Sequence, residues 1–163
     1  MSLLRLVSIL TLAAWIGGLA ALGFVAAPTI FTILEGHDPA GGRALAGLVF
    51  GAVFDRFQHV AWALGVLLLV LLGARALLGP RPRRLFARLW TVAAMLGMSL
   101  ATSLAIAPRI DAIRERTSGA VADLPAGTPD RIAFDRLHGA ASVLMLVTLV
   151  AGVGLVWMEM KDQ

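Results

Sequence analysis

Two short stretches hold most of the residues in this chain that could do chemistry. Phe54-Asp55-Arg56-Phe57-Gln58-His59 is followed, 80 positions on, by Phe134-Asp135-Arg136-Leu137-His138-Gly139. Asp55 and His59 are four apart, and Asp135 and His138 three apart, so on a helix each acid shares a face with its imidazole. A carboxylate beside an imidazole fixes the tautomer of a metal-ligating histidine. Two histidines at matching depth suit axial haem ligation or part of a copper site, which makes His59 and His138 candidate ligands and haem or copper the candidate cofactor. The same stretches allow two other readings. Asp55, Arg56, Asp135 and Arg136 can form ion pairs between the two halves that lock a bundle, with the histidines as satisfied donors. Alternatively they form an ionisable layer for transport or proton relay, because charged groups at membrane spans pair inside the bundle and often mark a pathway.

Other chemistry finds little support. The chain has no cysteine, which removes disulfides, thiolate metal sites and a cysteine nucleophile. It has no phosphate loop, nucleophile elbow or zinc-protease motif. Serines and threonines in the apolar runs have no adjacent base to activate them. Met95, Met98 and Met145 resemble soft copper ligands, but methionine is also common filler between apolar helices. His37 stands alone in a turn and reads as solvated. The formal charge is +4, yet the basic residues flank apolar runs with no basic-aromatic face, so nucleic acid is not an expected partner.

The elements that must position these residues are membrane helices. Of the 163 residues, 59% are hydrophobic, and the mean hydropathy is +0.86, above the roughly 45–50% apolar content of soluble domains. Four stretches reach the roughly 20 apolar residues that a span requires, which predicts one all-α membrane domain over 1–163. Helix 1 runs from about Leu3 to Ala27 and on towards Leu34. Its apolar run is too long for a leader peptide. Gly17 and Gly18, mid-helix, read as packing positions. Pro28 and Pro108 each remove a backbone donor and are expected to kink their helices. Helix 2 proper spans about Phe54 to Leu78, helix 3 Leu85 to Ala107 with a polar extension to Arg116, and helix 4 Asp130 to Met158. Glu159 to Gln163 reads as a short tail. Asp38-Pro39 and Thr128-Pro129 look like caps followed by a first-turn proline. The stretch 39–53 is open between a re-entrant helix, an interfacial helix and an extension of helix 2. A continuous helix from Pro39 would be about 60 Å long, which calls for a bend near Gly51 or Asp55, or a protruding helix. Trp62, Trp90 and Trp157 suit interfacial or packing roles.

A shift of 80 residues also aligns Ala27-Pro28 with Ala107-Pro108, and Thr11, Ala13, Ala14 and Gly17 with Thr91, Ala93, Ala94 and Gly97. The identities exceed what a chain so rich in Ala and Leu gives by chance. Each half, about 3–79 and 83–159, holds two spans, so the repeats are parallel and related by an axis along the membrane normal. The fold class expected is therefore an integral membrane four-helix bundle built from two parallel two-helix repeats, with both Asp-Arg pairs at one end. The short connection between helices 2 and 3 carries Arg81, Arg83 and Arg84 and no acid. Lys and Arg in short loops face the cytoplasm, so this connection and both termini are expected there.

Several segments resemble a known family. Trp15-Ile16-Gly17-Gly18, Ala27-Pro28-Thr29-Ile30-Phe31, Ala40-Gly41 and Gly47-Leu48-Val49-Phe50 are similar to the transmembrane-protein-205-like family of small four-helix membrane proteins. Ala107-Pro108-Arg109-Ile110 and Phe134 to Gly139 fit its second half, so the likeness covers about residues 5 to 155. The tryptophan-glycine-glycine start is more distantly similar to the copper-resistance-protein-D-like superfamily, which includes membrane haem-pathway enzymes. The resemblance implies a multi-pass protein of a bacterial inner membrane and carries no established reaction. The relatives' copper and haem ligands match no positions here one by one. The expected role is non-enzymatic: a transport-related component, or a binding or stabilising component of the membrane. A haem- or copper-binding protein is the alternative. The bilayer is the expected partner, and the small-residue packing positions admit self-association or a small membrane partner.

Overall fold

The computed structural model describes residues 3–78, 82–119 and 121–161. Arg81 of the connecting loop and Asp162 and Gln163 of the tail lie outside the described residues. The elements are α1 (Leu3–Ala21), a π-turn (Leu22–Ala26), α2 (Ala27–His37), α3 (Gly42–Leu78), α4 (Leu85–Ala101), a second π-turn (Thr102–Ile106), α5 (Ala107–Arg116), a 3₁₀ turn (Val121–Asp123) and α6 (Pro129–Met160). Four helical runs, Leu3–His37, Gly42–Leu78, Leu85–Arg116 and Pro129–Met160, are long and apolar enough to cross a membrane. The described residues contain no strand.

Pro28 and Pro108 each follow a π-turn. Pro cannot donate to the helix, and its ring crowds the carbonyl four residues back. Widening the turn relieves that crowding. Ala27 N–H reaches Leu22 O, and Ala107 N–H reaches Thr102 O, each skipping one residue relative to the α pattern. The helical run then continues through Pro28 to His37 and through Pro108 to Arg116.

Residues 39–53 divide between a turn, up to Gly41, and the long second-span helix. From Gly42 onward they belong to α3, a single helix of 37 residues, about 55 Å long at 1.5 Å per residue. Its first turns therefore project beyond a hydrocarbon layer of about 30 Å. The cap at Asp38 also differs from the sequence reading. The Asp38 carboxylate accepts from Ala40 N–H and Gly41 N–H, both at 3.1 Å, which makes a local turn, and Pro39 lies in that turn rather than in the helix. Gly42 follows where a Cβ would fall 2.0 Å from Leu34 O, so only glycine lets α2 and α3 meet so closely. Thr128 stands at the cap position of α6, but its hydroxyl donates back to Pro125 O at 2.9 Å rather than accepting from the first turn.

The spans pack in a ring: α1 against α3 and α6, and α4 against α3 and α6. The core comprises Leu12, Trp15, Leu19, Ala61, Leu68, Leu72, Val92, Met95 and Leu155. Burial follows the 80-residue offset. Ser8, Leu12, Trp15 and Leu19 are buried on α1, and Arg88, Val92, Met95 and Ser99 are buried on α4. Leu68, Leu72 and Arg75 on α3 and their offset counterparts Thr148, Gly152 and Leu155 on α6 are likewise buried.

Candidate functional site

Three groups of polar residues lie at different depths. The first contains the two repeated stretches. Arg114, from α5, ties them to one end of the bundle. Its guanidinium stacks over the Phe134 ring at 5.8 Å and lies across α3, where a Cβ on Gly47 or Gly51 would come within 3.3 or 3.1 Å of it. At this end Asp55 pairs along its own helix with His59 at 4.0 Å, both side chains 61% exposed. Asp135 pairs with Arg131, also one turn away, at 3.0 Å. Arg56, Arg136 and His138 are exposed. The ion pairs of Asp55 and Asp135 thus run along α3 and α6 and do not bridge the halves, because both acids stand on outward faces of their helices. His59 Nδ1 lies 2.9 Å from Asp55 O. A carbonyl only accepts, so Nδ1 carries the proton and Nε2 of the neutral ring keeps its lone pair. The His59 ring also tilts against Trp62 at 4.8 Å, and His138 stacks on Phe134 at 6.0 Å. Among the described residues no three His, Asp or Glu side chains converge as a metal cage.

The second group closes the opposite end and was not read from the sequence. Glu159, expected in the tail, is the last buried residue of α6. Its Oε1 accepts from Arg75 Nη1 at 2.8 Å and from Arg88 Nη1. Arg5 donates to its backbone carbonyl and places Nε 3.7 Å from Oε2. Arg88 also donates to Met158 O at 2.8 Å. Each of the four spans contributes one charged residue, and Arg88 is only 2% exposed. Twenty residues of α3 separate Arg75 from Asp55, about 30 Å. The clasp and the Asp55 layer therefore stand one hydrocarbon thickness apart. The available signal was ionisable residues recurring on the inward faces of apolar helices.

The third group lies between these layers. Trp15, Leu19, Phe54, Gln58, Met98, Ser99, Thr102, Leu144, Met145 and Thr148 line a cleft to which all four spans contribute. Ser99 Oγ donates to Gln58 Oε1 at 2.8 Å. Thr102 and Thr148 donate to carbonyls of their own helices, Met98 O at 2.9 Å and Leu144 O at 2.8 Å. Trp15 is 0% exposed, and its Nε1–H meets no acceptor among the described residues. The unfilled space, mouth included, is about 250 Å³. Within it there is room on the order of one water molecule. Of the methionines considered as copper ligands, Met95 is in the core, Met145 touches the π-turn at Gly23, and Met98 Sδ is 4.0 Å from the Thr148 hydroxyl.

A family described as a domain of unknown function, DUF4149, matches residues 10–118. No curated protein and no solved structure matches the chain.

Proposed function

The chain belongs to the DUF4149 family, and from that starting point we propose that it is a non-enzymatic, multi-pass membrane protein that binds or passes a small solute, as a transport-related or membrane-binding component. The observation that carries this reading is a cleft among all four spans that presents Gln58, Ser99, Thr102 and Thr148, and is lined also by Trp15, whose buried Nε1–H has no acceptor among the described residues. Four polar side chains gathered on one space inside an apolar bundle cost burial that packing alone would not favour. Asp55 and Arg56, next to the lining residues Phe54 and Gln58 on α3, and Asp135 and Arg136 on α6 are exposed, an ionisable layer on the outside of the bundle near the cleft.

The reading takes the two halves as duplicated, supported by π-turns and buried faces that recur at the same offset. It places the chain in a bacterial inner membrane with the clasp end cytoplasmic, since Arg83 and Arg84 are in the short loop there. It keeps the likeness to the transmembrane-protein-205-like family. The test is solute flux into liposomes carrying the purified protein. Flux above protein-free liposomes, reduced by Asp55→Asn and Asp135→Asn, is the expected result; flux equal to that of empty liposomes would refute it.

A second reading, haem or copper held by His59 and His138, draws on one observation: the hydrogen bond from His59 Nδ1 leaves Nε2 available as a ligand. It predicts a Soret band, or bound copper, in protein produced with haem and copper supplied. Either signal would be lost in the His59→Ala, His138→Ala double variant.

A further inference from the structure

We infer that the cleft is a site for a small uncharged molecule that both donates and accepts hydrogen bonds, of the size of water, and that the two halves of the chain diverged to build it. This rests on the solute-binding reading above. The inference comes from where the two halves disagree. Leu19, Leu22 and Leu68 of the first half stand at the offset positions of Ser99, Thr102 and Thr148. These three hydroxyls, on α4, the second π-turn and α6, line the same cleft. Replacing leucine by a hydroxyl in a packed apolar bundle forfeits burial and adds a polar group that must be satisfied. Three such exchanges converging on one space, facing Gln58 and Trp15, are what a ligand site requires and what packing alone would remove. Sites at the interface of repeats near the middle of the membrane are a recurrent arrangement.

The chemistry of the lining sets the class of ligand. The donors on offer are the Gln58 amide N–H groups and, among the lining residues, the unpartnered Trp15 indole N–H. The hydroxyls of Ser99, Thr102 and Thr148 spend their protons on Gln58 Oε1, Met98 O and Leu144 O, which leaves their oxygens as acceptors. The ligand must therefore both accept and donate. No Asp, Glu, Lys, Arg or His lines the cleft, so nothing there offsets the desolvation of an ion, and the ligand is uncharged. The room available, on the order of one water molecule, limits its size.

The test reverts the second half to the first: Ser99→Leu, Thr102→Leu and Thr148→Leu together, with Ser99→Ala/Thr148→Val as a milder variant should the triple misfold. In nanodiscs, the Trp15 indole N–H is observed by NMR in protein carrying Trp62→Phe, Trp90→Phe and Trp157→Phe. We expect a water cross-peak to this proton in the parent and its loss in the variants. In liposomes, water permeability is measured by stopped-flow light scattering, and we expect at least a tenfold drop on reversion. A parent indole proton with no water contact, and unchanged by either variant, overturns the inference. A hydrated indole whose contact is lost on reversion, without any flux above empty liposomes, upholds the site and refutes transport.

Discussion

Arg75 Nη1 donates to Glu159 Oε1 at 2.8 Å across 84 residues of sequence, joining the end of the second span to the end of the fourth. Both side chains are under a tenth exposed. Breaking a buried pair from one side leaves a charge without compensation, at about 3–5 kcal/mol. Glu159→Gln is therefore expected to cost that much in thermal or denaturant unfolding in detergent. Arg5→Gln, at a side chain 16% exposed, is expected to cost less. Equal effects, or none at Glu159, would show that the clasp does not hold the bundle.

Two glycines give a contrast in packing. A Cβ on Gly152 would fall 2.2 Å from Ile16 Cγ2, whereas one on Gly17 meets nothing within 4 Å. Gly152→Ala is expected to destabilise by about 1–3 kcal/mol through overpacking. Gly17→Ala should be neutral or stabilise by up to about 1 kcal/mol, as alanine does in a helix. Unfolding midpoints of the two variants measure the difference.

Ser99→Ala removes the donor to Gln58 Oε1 inside the bundle. An orphaned buried acceptor costs about 1–3 kcal/mol. A smaller loss, read by the same unfolding assay, would mean that water from the cleft takes the place of the hydroxyl.

Asp55→Asn and Asp135→Asn should change stability by less than about 1 kcal/mol, because exposed pairs one turn apart contribute little. A fall of several kcal/mol in unfolding free energy would instead require that these acids lock the two halves together.

The absence of cysteine makes topology directly measurable. A single cysteine at Ala126→Cys is expected to react with a membrane-impermeant maleimide on intact cells. One at Arg83→Cys should react only after lysis. The reverse pattern would invert the orientation.

Much of the architecture was legible in the sequence. The apolar runs set the number of spans, and Pro28 and Pro108, expected as kinks, stand just after the two π-turns. The site was far less legible. Gln58 lies in the same motif as Asp55 and His59, which face outward. Ser99, Thr102 and Thr148 have no neighbouring base in sequence, because their partners on the cleft are on other helices. Their only local signal is the change from leucine to hydroxyl across the shift of 80 residues. Glu159 looked like a tail because the run of hydropathy ends there, while the helix does not.

By itself the sequence determined that this chain belongs in a membrane and that it has four long helices. Hydropathy and periodicity are local properties, and a bilayer leaves the backbone few alternatives to helix. Only the tertiary structure decided which charges are buried. It set Arg5, Arg75 and Arg88 around Glu159, gathered Gln58, Trp15 and three hydroxyls on one cleft, and left Asp55 and His59 on the outside. Which face of a helix turns inward depends on the neighbours it packs against, and those neighbours are 41 and 84 residues away along the chain.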